Sequence, residues 1–170
     1  MKKFNDCVPT DLIEVQKLAY EQAGFKYKNL VIESESQEYA ACEFQLNNLK
    51  IKFRVGKITP TKIGQFVTFW KRGSNGSIEP YDLSDHFDLL VISCNDKEHF
   101  GQFVFPKNVL LEKDIISKNK IGGKRAIRVY PPWDKAENLQ AKKTQAWQLM
   151  YFFEIKPNII DNDRIKKLFS

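Results

Sequence analysis

The amino-acid sequence predicts an α/β (α+β) domain in which helices pack on a sheet, and three features point to it. Lys50 to Val55 alternates charged and apolar residues with the period of a strand, and Phe87 to Cys94 is an almost unbroken apolar run. Helical spacing brackets them, at Asp11 to Ala23 and again from Asp134 or Asn138 to Ile155. A chain of 170 residues, 42% of them hydrophobic, fits one domain over 1–170 with no linker.

In chain order, Asp11-Leu12-Ile13-Glu14 fits a capping box ahead of the stripe Leu12, Val15, Leu18, Ala19 and Ala23, and Gly24 ends the first helix. Lys26 to Glu38 is polar and reads mostly as loop. Ala40 to Leu46 is a strand, and Asn47-Asn48 is a tight-turn signal leading into the basic strand. There Ile51, Phe53 and Val55 face a core, while Lys50, Lys52 and Arg54 face water. Gly56 marks a bend, Thr59-Pro60-Thr61 a turn, and Gln65 to Arg72 a second strand placed to pair with the first as a hairpin.

Gly73 to Ser77 is a flexible turn and Ile78 to Ser84 a loop. Phe87 to Cys94, interrupted only by Asp88, is a central strand buried on both faces. His99 to Phe105 is its neighbour, stopped by Pro106, and Val109 to Ile116 is a short mixed segment. Lys118 to Lys124 is a basic loop whose glycine pair lacks the spacing of a phosphate-cradling motif. Arg125 to Tyr130 is the last strand. In the long helix that follows, Leu139, Lys143, Ala146, Met150 and Phe153 share one side, and a short helix from Asp163 to Phe169 is possible at the end.

Net charge is +6, and its placement matters more than its size. The first 43 residues sum to −3, residues 44–133 to +7 and the remainder to +2. No acid occurs between Phe44 and Ile78, where seven bases sit, or between Ile115 and Trp133, where five more sit. Such gaps point to a positive surface for a polyanion. Three widely spaced cysteines argue against a disulfide framework, and two histidines without a motif argue against structural zinc. Met1-Lys2-Lys3 opens a polar segment and no long apolar run follows, so neither a secretion signal nor a membrane span is expected, and the expected location is cytoplasmic.

Several separated motifs, in order, carry a resemblance. They are Cys42-Glu43-Phe44-Gln45-Leu46, the run from Ile51 to Pro60, Gly64-Gln65-Phe66, the run from Gly101 to Lys107, Ile127 to Pro131, Trp133-Asp134, and the run from Thr144 to Leu149. Over roughly 38–153 the chain resembles the MepB family, small bacterial proteins named for a gene beside a multidrug efflux pump and its repressor. The resemblance implies a restriction-endonuclease-like fold of the PD-(D/E)XK superfamily, a mixed central sheet flanked by helices. It also implies nucleic-acid binding rather than established catalysis.

Nucleases of that superfamily hold Mg²⁺ between an Asp and an acid two residues ahead of a Lys. Asp88 and Lys107 stand in suitable places, but Phe105 occupies the acid's position and Gln102 is neutral. Glu43, Asp88 and Lys107 would be the working residues of a metal-dependent nuclease, which is the alternative. For Glu43 the plainer expectation is a salt bridge to Lys52 or Arg54.

The expected function is therefore non-catalytic binding of nucleic acid, DNA favoured over RNA, through the phosphate backbone and without a cofactor. Lys52, Arg54, Lys57, Lys62, Lys71, Arg72, Lys107, Arg125 and Arg128 are the expected phosphate contacts, and Trp70 and Trp133 are candidates for stacking on bases. A third reading is a protein-interaction or small-ligand module associated with drug efflux. Nothing in the chain sets an oligomeric state.

Overall fold

The computed structural model describes residues 7–170, so the polar start at Met1-Lys2-Lys3 lies outside the described residues. The first helix, α1 (Thr10–Val15), passes into a π-helical turn at Gln16–Tyr20. Gly24 stops it at φ +84°, and the Phe25 amide donates to the Tyr20 carbonyl at 2.8 Å. The capping box does not form. Pro9 holds the cap position, and Asp11, inside the first turn, accepts instead from Asn95 Nδ2 at 2.6 Å.

Lys26 to Glu38 is more than a loop: it holds β1 (Lys28–Ile32) and a 3₁₀ turn at Gln37–Tyr39. β1 shows no alternation to read, because Lys28, Asn29 and Val31 are exposed and Asn29 sits at φ +57°. It runs antiparallel to β2 (Cys42–Leu46). Asn47 and Asn48, at φ +49° and +63°, turn the chain into β3 (Leu49–Val55).

The expected hairpin between β3 and the Gln65 strand is absent. β3 pairs antiparallel with β2 and parallel with β8 (Leu89–Asn95). Gly56 turns the chain out of that sheet, and a Cβ there would stand 2.8 Å from Gln65 Oε1. Beyond it β4 (Lys57–Ile58) and β5 (Gln65–Thr68) join β10 (Ala126–Val129) in a second sheet, ordered β10-β5-β4. The strand expected to reach Arg72 breaks at Phe69 and Trp70. β6 (Lys71–Arg72) then pairs with β7 (Ile78–Glu79) across the Gly73–Ser77 turn.

β8 is buried from Leu89 to Cys94, as its composition required, with β9 (Phe100–Pro106) antiparallel beside it. α2 (Lys107–Glu112) starts directly after Pro106, where only a mixed segment was expected. The long helix is shorter than its pattern: α3 (Leu139–Gln148) gives way to a 3₁₀ turn and then to β11 (Phe152–Glu154), which pairs with β9. The side shared by Leu139, Lys143, Ala146 and Met150 faces outward, while Phe153, the last residue expected on it, is buried in β11. Leu139 and Met150 are 68% and 63% exposed, whereas Ala141 and Gln148 are buried. α4 (Asn162–Leu168) closes the chain, its first turn capped by Asp161.

The central sheet, ordered β1-β2-β3-β8-β9-β11, is thus mixed and flanked by helices, as the resemblance implied. One face buries Ile51, Phe53, Val91 and Val104 against α1 and α4. The other buries Leu90, Ile92, Phe103 and Phe105 against the second sheet and α2. That second layer decides the fate of the basic strand. The Phe69 ring and the Thr68 carbonyl cover the far end of β3, so the face expected to be wet is dry at Arg54.

Candidate nucleic-acid interface

The expected cations divide into two groups, and the division follows the layers of the fold. Lys52, Arg54, Lys71 and Arg72 line a cleft of about 370 Å³ that also contains Glu33, Glu35 and Glu43. Glu43 lies directly opposite Lys52 on β2, and their side chains pair at 2.8 Å, the cross-strand salt bridge expected from the sequence. Glu33, just past β1, takes Lys52 at one carboxylate oxygen and Arg54 Nη1 at the other, the latter at 2.5 Å. Arg54, only 1% exposed, also donates to the Phe53 carbonyl at 2.8 Å and to the Thr68 carbonyl at 3.2 Å. Its guanidinium lies over the Phe69 ring. As placed, it has no route to an external phosphate.

Lys52 is held almost as firmly. Burial alone would lower its pKa, but Glu33, the Tyr81 ring beside it and Glu43 together raise it above the ordinary value, so the ammonium stays charged between two carboxylates. Lys71 pairs with Asp85 at 2.7 Å and lies 3.7 Å from Glu79, and Arg72 pairs with Glu35 at 2.5 Å over the Trp70 ring. Glu33 and Tyr81 were missed in the sequence because both sit in segments read as loop. The acid-free interval between Phe44 and Ile78 misled, since Glu33 and Glu35, in the segment after β1, and Glu43 on β2 fold back onto it.

The second group lies on and beside the second sheet. Lys57, Phe66 and Arg128 stand in register across β4, β5 and β10, so their side chains share the sheet's outer face. Lys57 is exposed, with its ammonium 4.9 Å from the centre of the Tyr39 ring. Arg128 is half-buried over Phe66, and Nη1 alone bonds to Thr59 Oγ1 at 3.0 Å, Gly64 O at 3.2 Å and Ile63 O at 3.3 Å. Lys62 and Arg125 are exposed, the latter donating to the Ile78 carbonyl at 3.3 Å. Among the described residues none of these four enters an ion pair. Lys124, which the sequence reading left out as part of a loose loop, joins Lys62 and Arg128 in lining a cleft of about 550 Å³ between β10 and α3.

The remaining expectations resolve separately. Trp133 stacks on His99 with ring centres 5.0 Å apart and meets Phe152 edge-on, so its ring is occupied within the fold. Lys107 turns its ammonium to the Asp85 carbonyl and over Phe87. Asp88 accepts the Lys50 amide at 2.8 Å, while Phe105 is fully buried against Phe103. Glu43, Asp88 and Lys107 are each engaged with a different partner. No group of three His, Cys, Asp or Glu side chains able to hold a metal ion exists among the described residues. These donors do not fit Mg²⁺, which requires several hard oxygens in octahedral array.

A family model described as MepB-like matches residues 33–154. The chain belongs to the MepB-like family. The crystal structure of MepB is 35% identical and superposes with a TM-score of 0.76, over 88% of this chain and 99% of that one. A bacterial homing endonuclease matches at 18% identity and a TM-score of 0.40, over 84% of this chain and 93% of its own, a likeness too slight to bear on this site. No curated protein matches. Among the described residues of this MepB-like chain, no helix is long and apolar enough to cross a membrane.

Proposed function

We propose that this MepB-like protein binds nucleic acid without cleaving it, through the phosphate backbone and with weak sequence preference. The observation that carries the reading is the second sheet's outer face. Lys57 and Arg128 share it, Lys62, Lys124 and Arg125 lie on its loops, and none of the five has an ion-pair partner among the described residues. Unneutralised bases on one wall lower the free energy of a polyanion by releasing its counterions, and this requires no base-specific contact. A metal-dependent nuclease is the weaker reading, because Glu43 pairs with Lys52 and Asp88 accepts the Lys50 amide.

The test is fluorescence anisotropy of labelled duplex DNA, with RNA and single strands in parallel, across a salt series. Five phosphate contacts predict a slope of log K on log salt of about −4 to −5. A second arm incubates DNA with protein and Mg²⁺ or Mn²⁺ and expects intact substrate. Affinity that ignores salt, or metal-dependent cutting, would overturn the proposal.

A further inference from the structure

We infer that the cleft between β10 and α3 is a seat for one phosphate group, with Arg128 as its fixed prong and Lys62 and Lys124 as its mobile arms. The inference rests on the nucleic-acid reading only for the source of that phosphate. Its basis is local. The cleft, of about 550 Å³, is lined by three bases and by a single acid, Glu137. Most of its other lining is neutral and polar, including Tyr130, Gln140 and Thr144. A concave site of this size with a few convergent charged groups suits a small polar ligand.

Arg128 is prepared for an anion. Its Nη1 is held by three neutral oxygens and its plane lies on Phe66, so the side chain is already ordered. Nη2 and Nε make no hydrogen bond among the described residues, which leaves one edge of the fork open. A half-buried guanidinium whose partners are all uncharged gains more from an arriving phosphate than one already paired with a carboxylate. Arg54 is the contrasting case in the same fold, buried with Glu33 at 2.5 Å.

The walls are fixed as well. Gln148 accepts the Tyr130 amide at 2.9 Å and donates to the Arg128 carbonyl at 3.0 Å, and Gln145 donates to the Pro131 carbonyl at 2.9 Å and the Asp134 carbonyl at 2.8 Å. Gln148 thus holds α3 to β10, and Gln145 holds it to the loop that follows β10. Opposite, Gly64 at φ +86° presses its loop onto β10, where a Cβ would stand 2.8 Å from the Val129 carbonyl. That close approach carries Lys62 to the rim. The first turn of α3 adds little, because Asn138 already accepts the Ala141 amide at 2.8 Å.

The experiment titrates the full chain with inorganic phosphate, with a nucleoside monophosphate and with a short labelled DNA duplex. Binding is read by amide NMR shifts for the small anions and by anisotropy for the duplex. The main variant is Lys62→Gln with Lys124→Gln, both exposed, so that folding is not at stake. Lys166→Gln with Lys167→Gln on α4 is the control, and Arg128→Lys tests the fork while keeping the charge.

The expected result is a loss of about tenfold in duplex affinity and a salt slope shallower by about 2 in the Lys62/Lys124 variant. The control is unchanged, and phosphate shifts amides near Gly64, Arg128 and Tyr130. Duplex binding that the cleft variant leaves intact would overturn the cleft while sparing the nucleic-acid proposal. Small anions seated in the cleft with no duplex binding would support the cleft and overturn the nucleic-acid proposal. No binding by any probe would overturn both.

Discussion

Replacing Arg54 with Met separates a structural cation from a binding one. The guanidinium is 1% exposed, and it is bound to Glu33 at 2.5 Å, to the Phe53 carbonyl at 2.8 Å and to the Thr68 carbonyl at 3.2 Å. Removing one partner of a buried ion pair costs about 3–5 kcal/mol, because the remaining charge is stranded. Here Lys52 still serves the other oxygen of Glu33, and Met fills part of the volume over Phe69, so the expected loss is about 2–4 kcal/mol. At about 2–4 °C per kcal/mol for a domain of this size, the melting midpoint falls by about 5–15 °C.

Urea unfolding measures the loss directly. Adding Glu33→Gln removes the stranded charge, so the two changes together should cost less than their sum by about 1–3 kcal/mol. The salt slope for duplex DNA stays unchanged in Arg54→Met at a temperature where the variant is folded. A variant within about 0.5 kcal/mol of wild type, or one that keeps its stability and binds DNA with a shallower slope, would show that Arg54 is not a structural cation.

Burial pushes the Cys42 thiol up to about 12, with the Glu33 carboxylate adding to it, and burial raises Cys94 well above the ordinary range. In the native protein at pH 8 a thiol reagent should therefore modify Cys7 alone, and all three cysteines once urea is added. Gly101→Ala would place a methyl 2.3 Å from Phe152 Cζ and 2.7 Å from the Phe153 carbonyl, so both the Phe152 ring and the β11 backbone must shift. The expected cost is about 1–3 kcal/mol or more by urea melt, with loss of amide-exchange protection at Phe152 to Glu154.

Asp82 accepts from Ser84 N at 3.0 Å, from Ser117 Oγ at 2.7 Å and from Lys120 N at 3.0 Å, and these bonds, the Ser84 amide first, hold its carboxyl below the usual range. A depressed folded-state pKa contributes stability that is present above about pH 4 and drains away as pH falls toward the folded value. Asp82→Asn should cost about 1–3 kcal/mol at pH 7 and flatten the acid limb of a stability profile.

The parts of the fold that could be read from the chain were those whose burial follows a simple period. β8 is apolar on both faces, β3 alternates, and Asn47-Asn48 can turn in only a few ways. β1 escaped because an exposed edge strand with a residue at positive φ carries no period, and three residues of β11 are too few to show one. The helical spacing that runs on through Met150 hid the change to strand, since side-chain spacing cannot register where glutamines tie a helix down. At the site, charge counted along the chain located the bases but not their partners. Glu33 and Glu43 lie close in space to Lys52 and Arg54 yet outside the acid-free window, and only strand order brings them together.

Two pairs of substitutions, measured side by side, separate the bases free to meet a phosphate from those already paired within the fold. Lys57→Gln with Arg125→Gln removes two bases that have no ion-pair partner among the described residues, while Lys71→Gln with Arg72→Gln removes two already held by Asp85 and Glu35. For duplex DNA the first pair should make the slope of log K on log salt shallower by about 2 and the second should leave it unchanged. The reverse pattern, or equal slopes in all three proteins, would contradict the account.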